Sequence, residues 1–212
     1  MSGDQGPTRA RRSGADTASR LLDVAERLVQ RRGFNGFSYA DVADELGVTK
    51  AALHYHYASK AELGTALVER YAARFLDALG AIDVDLDARQ ALHAYADLYL
   101  SALRDDRMCL CGMLAAEYRT LPEPMQSRLR GFFDANEEWL AALLEKGRAS
   151  GTLRFAGSAR QVARMVVGAL EGAMLIARPY DDLERFRTAA AQLVDSLAQP
   201  ATSGAVGRVP AG

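Results

Sequence analysis

Between Ser38 and Lys60 the chain gathers side chains suited to a polyanion. Lys50, His54, Tyr55, His56 and Lys60 lie close together, with Ala51, Ala52 and Leu53 among them. An ammonium group can sit on a phosphate, and imidazole and phenol groups offer donors and flat faces to base edges. Ser38 and Thr49 add hydroxyls at helix starts, where free N–H groups also bind phosphate. Ala51 belongs to the same surface. The set Ser38, Thr49, Lys50, Ala51, His54, Tyr55, His56 and Lys60 therefore points to double-stranded DNA.

Local signals show how these residues are positioned. Ser38 with Asp41 three residues on is an Asp-containing capping box, and Phe37 stands just outside as the apolar residue. Val42, Ala43 and Leu46 share one face of the helix that follows. Gly47 supplies a left-handed stop, and Thr49 caps the next helix. Ser59 with Glu62 is a full capping box that opens a further helix. Two short helices joined by a tight turn containing Gly form a helix-turn-helix.

The segment from Thr17 to Leu63 resembles the tetracycline-repressor (TetR) family of transcriptional regulators. The family ends its DNA-binding unit with a pattern like L-Y-x-H-F-x-x-K. Here Leu53, Tyr55, His56 and Lys60 match that pattern, while His54 replaces the usual Tyr and Tyr57 the usual Phe. The resemblance implies a homodimer, a near-palindromic operator and release by a small molecule. It also implies that the fourth helix shifts when the pocket fills. Thiol sensing near Cys109 and Cys111 is a further possibility known in such proteins.

A second group of residues could build a pocket. Tyr95, Tyr99, Tyr118, Phe132, Phe133, Trp139, Met108 and Met113 lie on helices with apolar stripes, and pockets between bundle helices are lined this way. Glu171 interrupts the apolar run Met165–Ala177, where a carboxylate needs a partner or stays neutral. An Arg or a polar group of a ligand would both serve. Asn136 on an apolar face calls for backbone or water. Cys111 shares a face with Leu114, Ala115 and Tyr118 and reads as inward. Arg104 and Arg107 upstream could lower the pKa of a nearby thiol. Tyr95, Tyr99, Cys111, Tyr118, Trp139 and Glu171 are the ligand-binding expectation.

The elements carrying these residues are all helical. Nine helices and no strand are expected, the first starting at Asp16 or Thr17 and the sixth covering about Arg107 to Tyr118. The fold class is all-α, with a flexible arm at 1–15 whose Arg9, Arg11 and Arg12 could touch DNA. A helix-turn-helix DNA-binding domain follows at 16–62. A ligand-binding and dimerisation domain occupies 63–199, and a flexible tail 200–212. The helix around Met165–Ala177 is apolar on nearly every side, so a second subunit is expected to cover it through Gly168, Ala169, Gly172 and Ala173.

Composition narrows the function classes. The 212 residues are 49% hydrophobic and 25% charged with a net charge of −1, as in an ordinary globular protein. Residues 1–60 hold nine Lys and Arg against seven Asp and Glu, so the basic bias is local. No apolar leader and no run long enough for a bilayer are evident, which suggests the cytoplasm. Two cysteines without an export signal fit a reducing compartment. Cys109-x-Cys111 lacks the other ligands of a zinc site, so no metal and no cofactor are expected. A thiol-dependent helical enzyme or small-molecule carrier, with Cys111 as nucleophile, is the alternative from another class. A transcriptional activator of the same fold is the second alternative.

Overall fold

The computed structural model describes residues 6–83 and 86–198, with side chains from residue 14 onward. Its elements are α1 (Gly6–Arg32), α2 (Tyr39–Leu46), α3 (Lys50–His56), α4 (Lys60–Gly80), α5 (Ala88–Arg104), α6 (Leu110–Ala116), α7 (Glu123–Ser150), α8 (Ala159–Ala177) and α9 (Leu183–Leu197). Single 3-10 turns at Tyr118–Thr120 and Arg178–Tyr180 join α6 to α7 and α8 to α9. Among the described residues there is no strand, only an isolated bridge between Leu153 and Ala198.

Ser38 caps α2 in a complete capping box with Asp41, Thr49 caps α3, and Ser59 caps α4. The box expected of Ser59 and Glu62 is not closed, because the Glu62 carboxylate accepts from the Ala58 N–H at 3.2 Å instead of from Ser59. Gly47 ends α2 at φ 65°, a conformation only glycine adopts at little cost. Leu21, Ala25, Leu28 and Val29 of α1 bury against Phe34, Phe37, Val42, Leu53 and Leu63. This small core holds α3 against α1 and the start of α4.

Two boundaries differ from expectation. α1 begins at Gly6, so much of the basic segment expected to be an arm continues the helix. Pro7 falls in the first turn, where its missing N–H breaks no helical bond. The side chains of Arg9, Arg11 and Arg12 lie outside the described residues, as does the segment 200–212. α6 starts at Leu110, not near Arg107. Asp106 takes a left-handed backbone at φ 52°, and the Met108 N–H turns to the carbonyl of Gln30 at 3.3 Å.

α4 to α9 pack around Leu92, Tyr95, Leu110, Leu114, Met125, Phe132, Leu140, Met174 and Phe186, all fully or nearly fully buried. α7 lies against α4 and α8, and α9 against α5 and α8. One face of α8 is left uncovered. Met165, Leu175 and Ile176 there are 48%, 59% and 57% exposed.

Candidate DNA interface and effector interior

The exposed face of α3 carries Lys50, Ala51 and Tyr55, with Tyr55 86% exposed. Leu53 on the opposite side is fully buried, so the helix is anchored while its outer face stays free. His56 packs edge-on to Tyr55 at 5.2 Å. These residues form one surface, as their sequence positions suggest.

Three other expected contacts are already engaged within the chain. His54 Nδ1 lies 3.1 Å from the carbonyl oxygen of Ala58, and its ring packs on Tyr39 at 4.8 Å. Tyr39 in turn donates to the carbonyl of Tyr57 at 2.9 Å, and burial pushes its phenol pKa up to about 12. The Ser38 hydroxyl donates to Asp41 Oδ2 at 2.6 Å, and this bond holds the Asp41 carboxyl below its usual range. Thr49 Oγ1 accepts from the Ala52 N–H at 3.2 Å, which leaves its own hydrogen free to donate.

Lys60 requires a correction. Its ammonium donates to the carbonyls of Phe34 and Phe37 at 2.6 and 2.5 Å, and it lies over both rings at 4.6 and 4.3 Å. The side chain ties the α1–α2 link to the start of α4 and does not face outward. A loop whose carbonyls point inward needs such a donor, and that need is invisible in the sequence.

The same link is gripped from the other side. The Glu117 carboxylate accepts from the Phe34 N–H at 2.5 Å and the Asn35 N–H at 3.3 Å. Asn35 Nδ2 also donates to Thr120 Oγ1 at 2.7 Å. Gly33 ends α1 at φ +79°, and a Cβ there would meet Glu117 Oε1 at 2.7 Å. Arg178 donates to the carbonyl of Arg31 at 2.9 Å. The α1–α2 link thus hangs from the end of α6 and from the α8–α9 corner by hydrogen bonds. Nothing in the spacing of Glu117 or Arg178 signals this.

The interior of α4–α8 gathers most of the expected pocket residues. Tyr95 donates to Asn136 Oδ1 at 3.0 Å and shares a hydrogen bond with the Tyr99 hydroxyl at 2.9 Å. Asn136 Nδ2 donates to that same hydroxyl at 3.3 Å, so Asn136 is satisfied by two phenols rather than by backbone or water. Trp139 stacks on Tyr95 at 5.8 Å and borders a cleft of about 270 Å³ with Leu79, Ile82 and Leu143. Burial pushes the Tyr95 and Tyr99 phenols well up. Tyr118 is not part of this group: it lies at the turn after α6, where Arg130 donates to its hydroxyl.

Glu171 points from α8 toward α6. A Cβ on Gly112 would meet its Oε2 at 2.2 Å, so a larger residue there would push the carboxylate aside. Burial pushes the Glu171 carboxyl up to about 6 while the neighbouring Cys109 thiol pulls it down, and Tyr71 donates to Cys109 Sγ at 3.5 Å. Cys109, and not Cys111, is therefore the thiol at the carboxylate. Tyr71 reads in the sequence as one member of an apolar stripe. Only packing reveals its hydroxyl at this point.

The surroundings of the two thiols favour the neutral form. Cys109 and Cys111 are both buried, and burial followed by nearby negative charge holds both thiols well above their ordinary range. Arg107 pairs with Asp105 instead of reaching a thiol. Among the described residues no group of His, Cys, Asp and Glu could hold a metal ion. No helix there is long and apolar enough to cross a membrane.

Known proteins share both halves of this arrangement. The profile described as "Bacterial regulatory proteins, tetR family" matches residues 21–67, and "Tetracyclin repressor-like, C-terminal domain" matches residues 88–193. The chain belongs to the TetR family. A TetR-family regulator from Agrobacterium tumefaciens, solved by crystallography, is 31% identical with a TM-score of 0.84, covering 88% of this chain and all of its own. The HTH-type transcriptional repressor NemR of Escherichia coli is 28% identical over 191 residues, 88% of this chain and 96% of NemR. Its reduced form has a TM-score of 0.76. The regulator LmrA of Bacillus subtilis is 26% identical over 169 residues, 77% of this chain and 87% of LmrA. TetR-family chains are DNA-binding regulators and not enzymes, which removes the thiol-enzyme alternative.

Proposed function

We propose that this TetR-family protein is a homodimeric repressor that holds a near-palindromic operator through two α2–α3 units and releases it when a small molecule enters α4–α8. The observation that carries the reading is the anchored α3 with Lys50, Ala51 and Tyr55 facing outward. Residues 16–62 form the DNA-binding unit and 63–199 the ligand-binding and dimerisation unit, with α4 running between them. His56 completes the base-reading surface, and Thr49 Oγ and the N-terminus of α2 beside Ser38 serve phosphates. Tyr95, Tyr99, Trp139 and Glu171 line the effector interior, and the protein works where its DNA is, in the cytoplasm.

The dimer reading rests on α8. Met165, Leu175 and Ile176 are exposed along one side, and a Cβ on Gly168 or Gly172 would meet nothing within 4 Å. An apolar face this open on a soluble chain calls for a partner, and a two-fold partner matches a palindromic site. NemR is named as a repressor, which supports repression over activation.

The test is a footprint and binding titration on DNA upstream of the protein's own coding sequence. Folded Lys50→Ala and Tyr55→Ala variants should lose most of their preference for that site. Undiminished, equally selective binding by both variants would refute the recognition-helix assignment.

A further inference from the structure

We propose that a second small-molecule site lies where α1, α4 and α5 meet, apart from the α4–α8 interior. It takes an uncharged, planar molecule whose edge carries an N–H beside a C=O, as in a lactam, and Gln30 reads that edge.

A cleft of about 300 Å³ opens between these three helices, and Gln30 lines it. The Gln30 side chain is buried at 3% exposure, and its Oε1 has no hydrogen-bond partner. A buried amide oxygen without a donor costs free energy, so an apolar side chain would serve a mere core contact better. The backbone beside it is already paired. The Gln30 carbonyl accepts from the Met108 N–H at 3.3 Å, and Arg31 donates to the carbonyl of Asp105 at 3.3 Å. The side-chain amide is what this corner leaves open.

The charges of the cleft select an uncharged guest. Glu26 accepts from Arg70 at 2.9 Å and from Arg74 at 2.5 Å, and Arg107 pairs with Asp105. Glu26, Arg74, Asp105 and Arg107 all line the cleft, two of each sign. A charged guest would displace a member of one of these pairs, whereas a neutral guest leaves both intact. What remains to be matched is an amide, a donor and an acceptor side by side. Its complement is a second amide edge turned the opposite way, which closes two hydrogen bonds at once. The last torsion of a Gln side chain is broad, so Oε1 can turn to meet the N–H of the guest.

The rest of the lining suits a flat body. Tyr71 and Phe75 both border the cleft and stack with centroids 6.4 Å apart, and Leu98 and Ala102 add apolar surface. The Tyr71 hydroxyl is engaged with Cys109, so these rings contribute area and leave the polar recognition to Gln30. A guest here touches α1 on one side and the end of α5 on the other. It therefore ties the helix that carries the DNA-binding unit to the body of the chain, and its binding is linked to operator affinity.

Calorimetry with quinolin-2-one and 1-methylquinolin-2-one tests the site. The methylated form keeps the rings and lacks the donor. Quinolin-2-one should bind at least tenfold more tightly. Gln30→Met keeps the side-chain length and removes the amide, so it should erase that difference. Ser101→Phe should abolish binding by filling the mouth of the cleft. Ser101 is exposed and its hydroxyl donates back to the Leu98 carbonyl at 2.7 Å, so the fold does not depend on it. Naphthalene-2-carboxylate and 2-naphthylmethylammonium, similar in size and opposite in charge, should both bind more weakly than quinolin-2-one. Saturating quinolin-2-one should change operator affinity at least threefold.

Equal binding of the two quinolinones would overturn the proposal, as would tighter binding of either ion. A lactam preference that survives in folded Gln30→Met and Ser101→Phe variants would place the guest elsewhere and overturn it too. Should Gln30→Met fail to fold, Ser101→Phe and the probe series on the unaltered protein decide the matter. Operator affinity unchanged at saturation would refute the link to α1.

Discussion

Replacing Lys60 with Met keeps the length of the side chain and removes the ammonium. Two charge-assisted hydrogen bonds, to Phe34 O at 2.6 Å and Phe37 O at 2.5 Å, are then lost together with two cation–ring contacts. A hydrogen bond to a charged group contributes about 1.5–3 kcal/mol. Burial opposes the charged form of Lys60, and the site is partly open to water, so roughly half of the summed figure should survive. The expected loss is about 2 kcal/mol, or ~4–8 °C in melting midpoint for a chain of this size. Urea unfolding of the DNA-free protein measures the loss. An operator titration across salt concentrations measures the other half of the argument. A residue that touches no phosphate should leave the slope of log affinity against log salt unchanged. An unaltered unfolding midpoint with a slope shallower by about one would show that Lys60 reaches phosphate, and would refute the inward assignment.

The remaining outcomes follow from the same geometry. Glu117→Ala should leave the α1–α2 link without its acceptor, so operator binding should persist while release by the effector weakens; full release in a folded variant would show that the link is not the coupling point. Ile176→Glu should place a charge on the uncovered face of α8 and shift sedimentation toward monomer, and an unchanged dimer would move the interface elsewhere. The thiols of Cys109 and Cys111 should alkylate slowly in the native protein and fast in urea, and a fast native adduct would restore the thiolate reading. Glu171 has its pKa raised from the ordinary 4.5 to about 6 in the folded state, so the folded form holds its proton more tightly than the unfolded form. Stability should therefore fall by about 2 kcal/mol as pH rises through that window, and Glu171→Gln should flatten the fall. A variant with the same pH dependence as the unaltered protein would remove Glu171 as the cause.

The helical order was legible because its signals are local. Ser38 with Asp41, Gly47, Thr49, and Ser59 with Glu62 each act within one turn of chain. Cap chemistry and periodicity therefore placed α2, α3 and the start of α4 directly. The outward face of Lys50, Ala51 and Tyr55 followed from the burial of Leu53, which the apolar spacing marks. The α1 start was misjudged because a polar, basic segment satisfies a helix as readily as an arm when no local residue breaks it. Lys60 was misread because the pattern that marks it says nothing about which way the ammonium turns.

Residue type and spacing determined that this chain is all-helical and carries a helix-turn-helix, and that its apolar helices enclose aromatic side chains. Tertiary structure alone decided the partners of those side chains. Lys60 meets carbonyls on a loop more than twenty residues away in sequence, and Glu117 meets the same loop from over eighty residues away. Cys109, Gly112 and Glu171 come together only when α6 packs against α8. A sequence displays neighbours one turn apart, whereas a buried charge or carbonyl is satisfied by whatever group the packing of separate helices brings within about 3 Å.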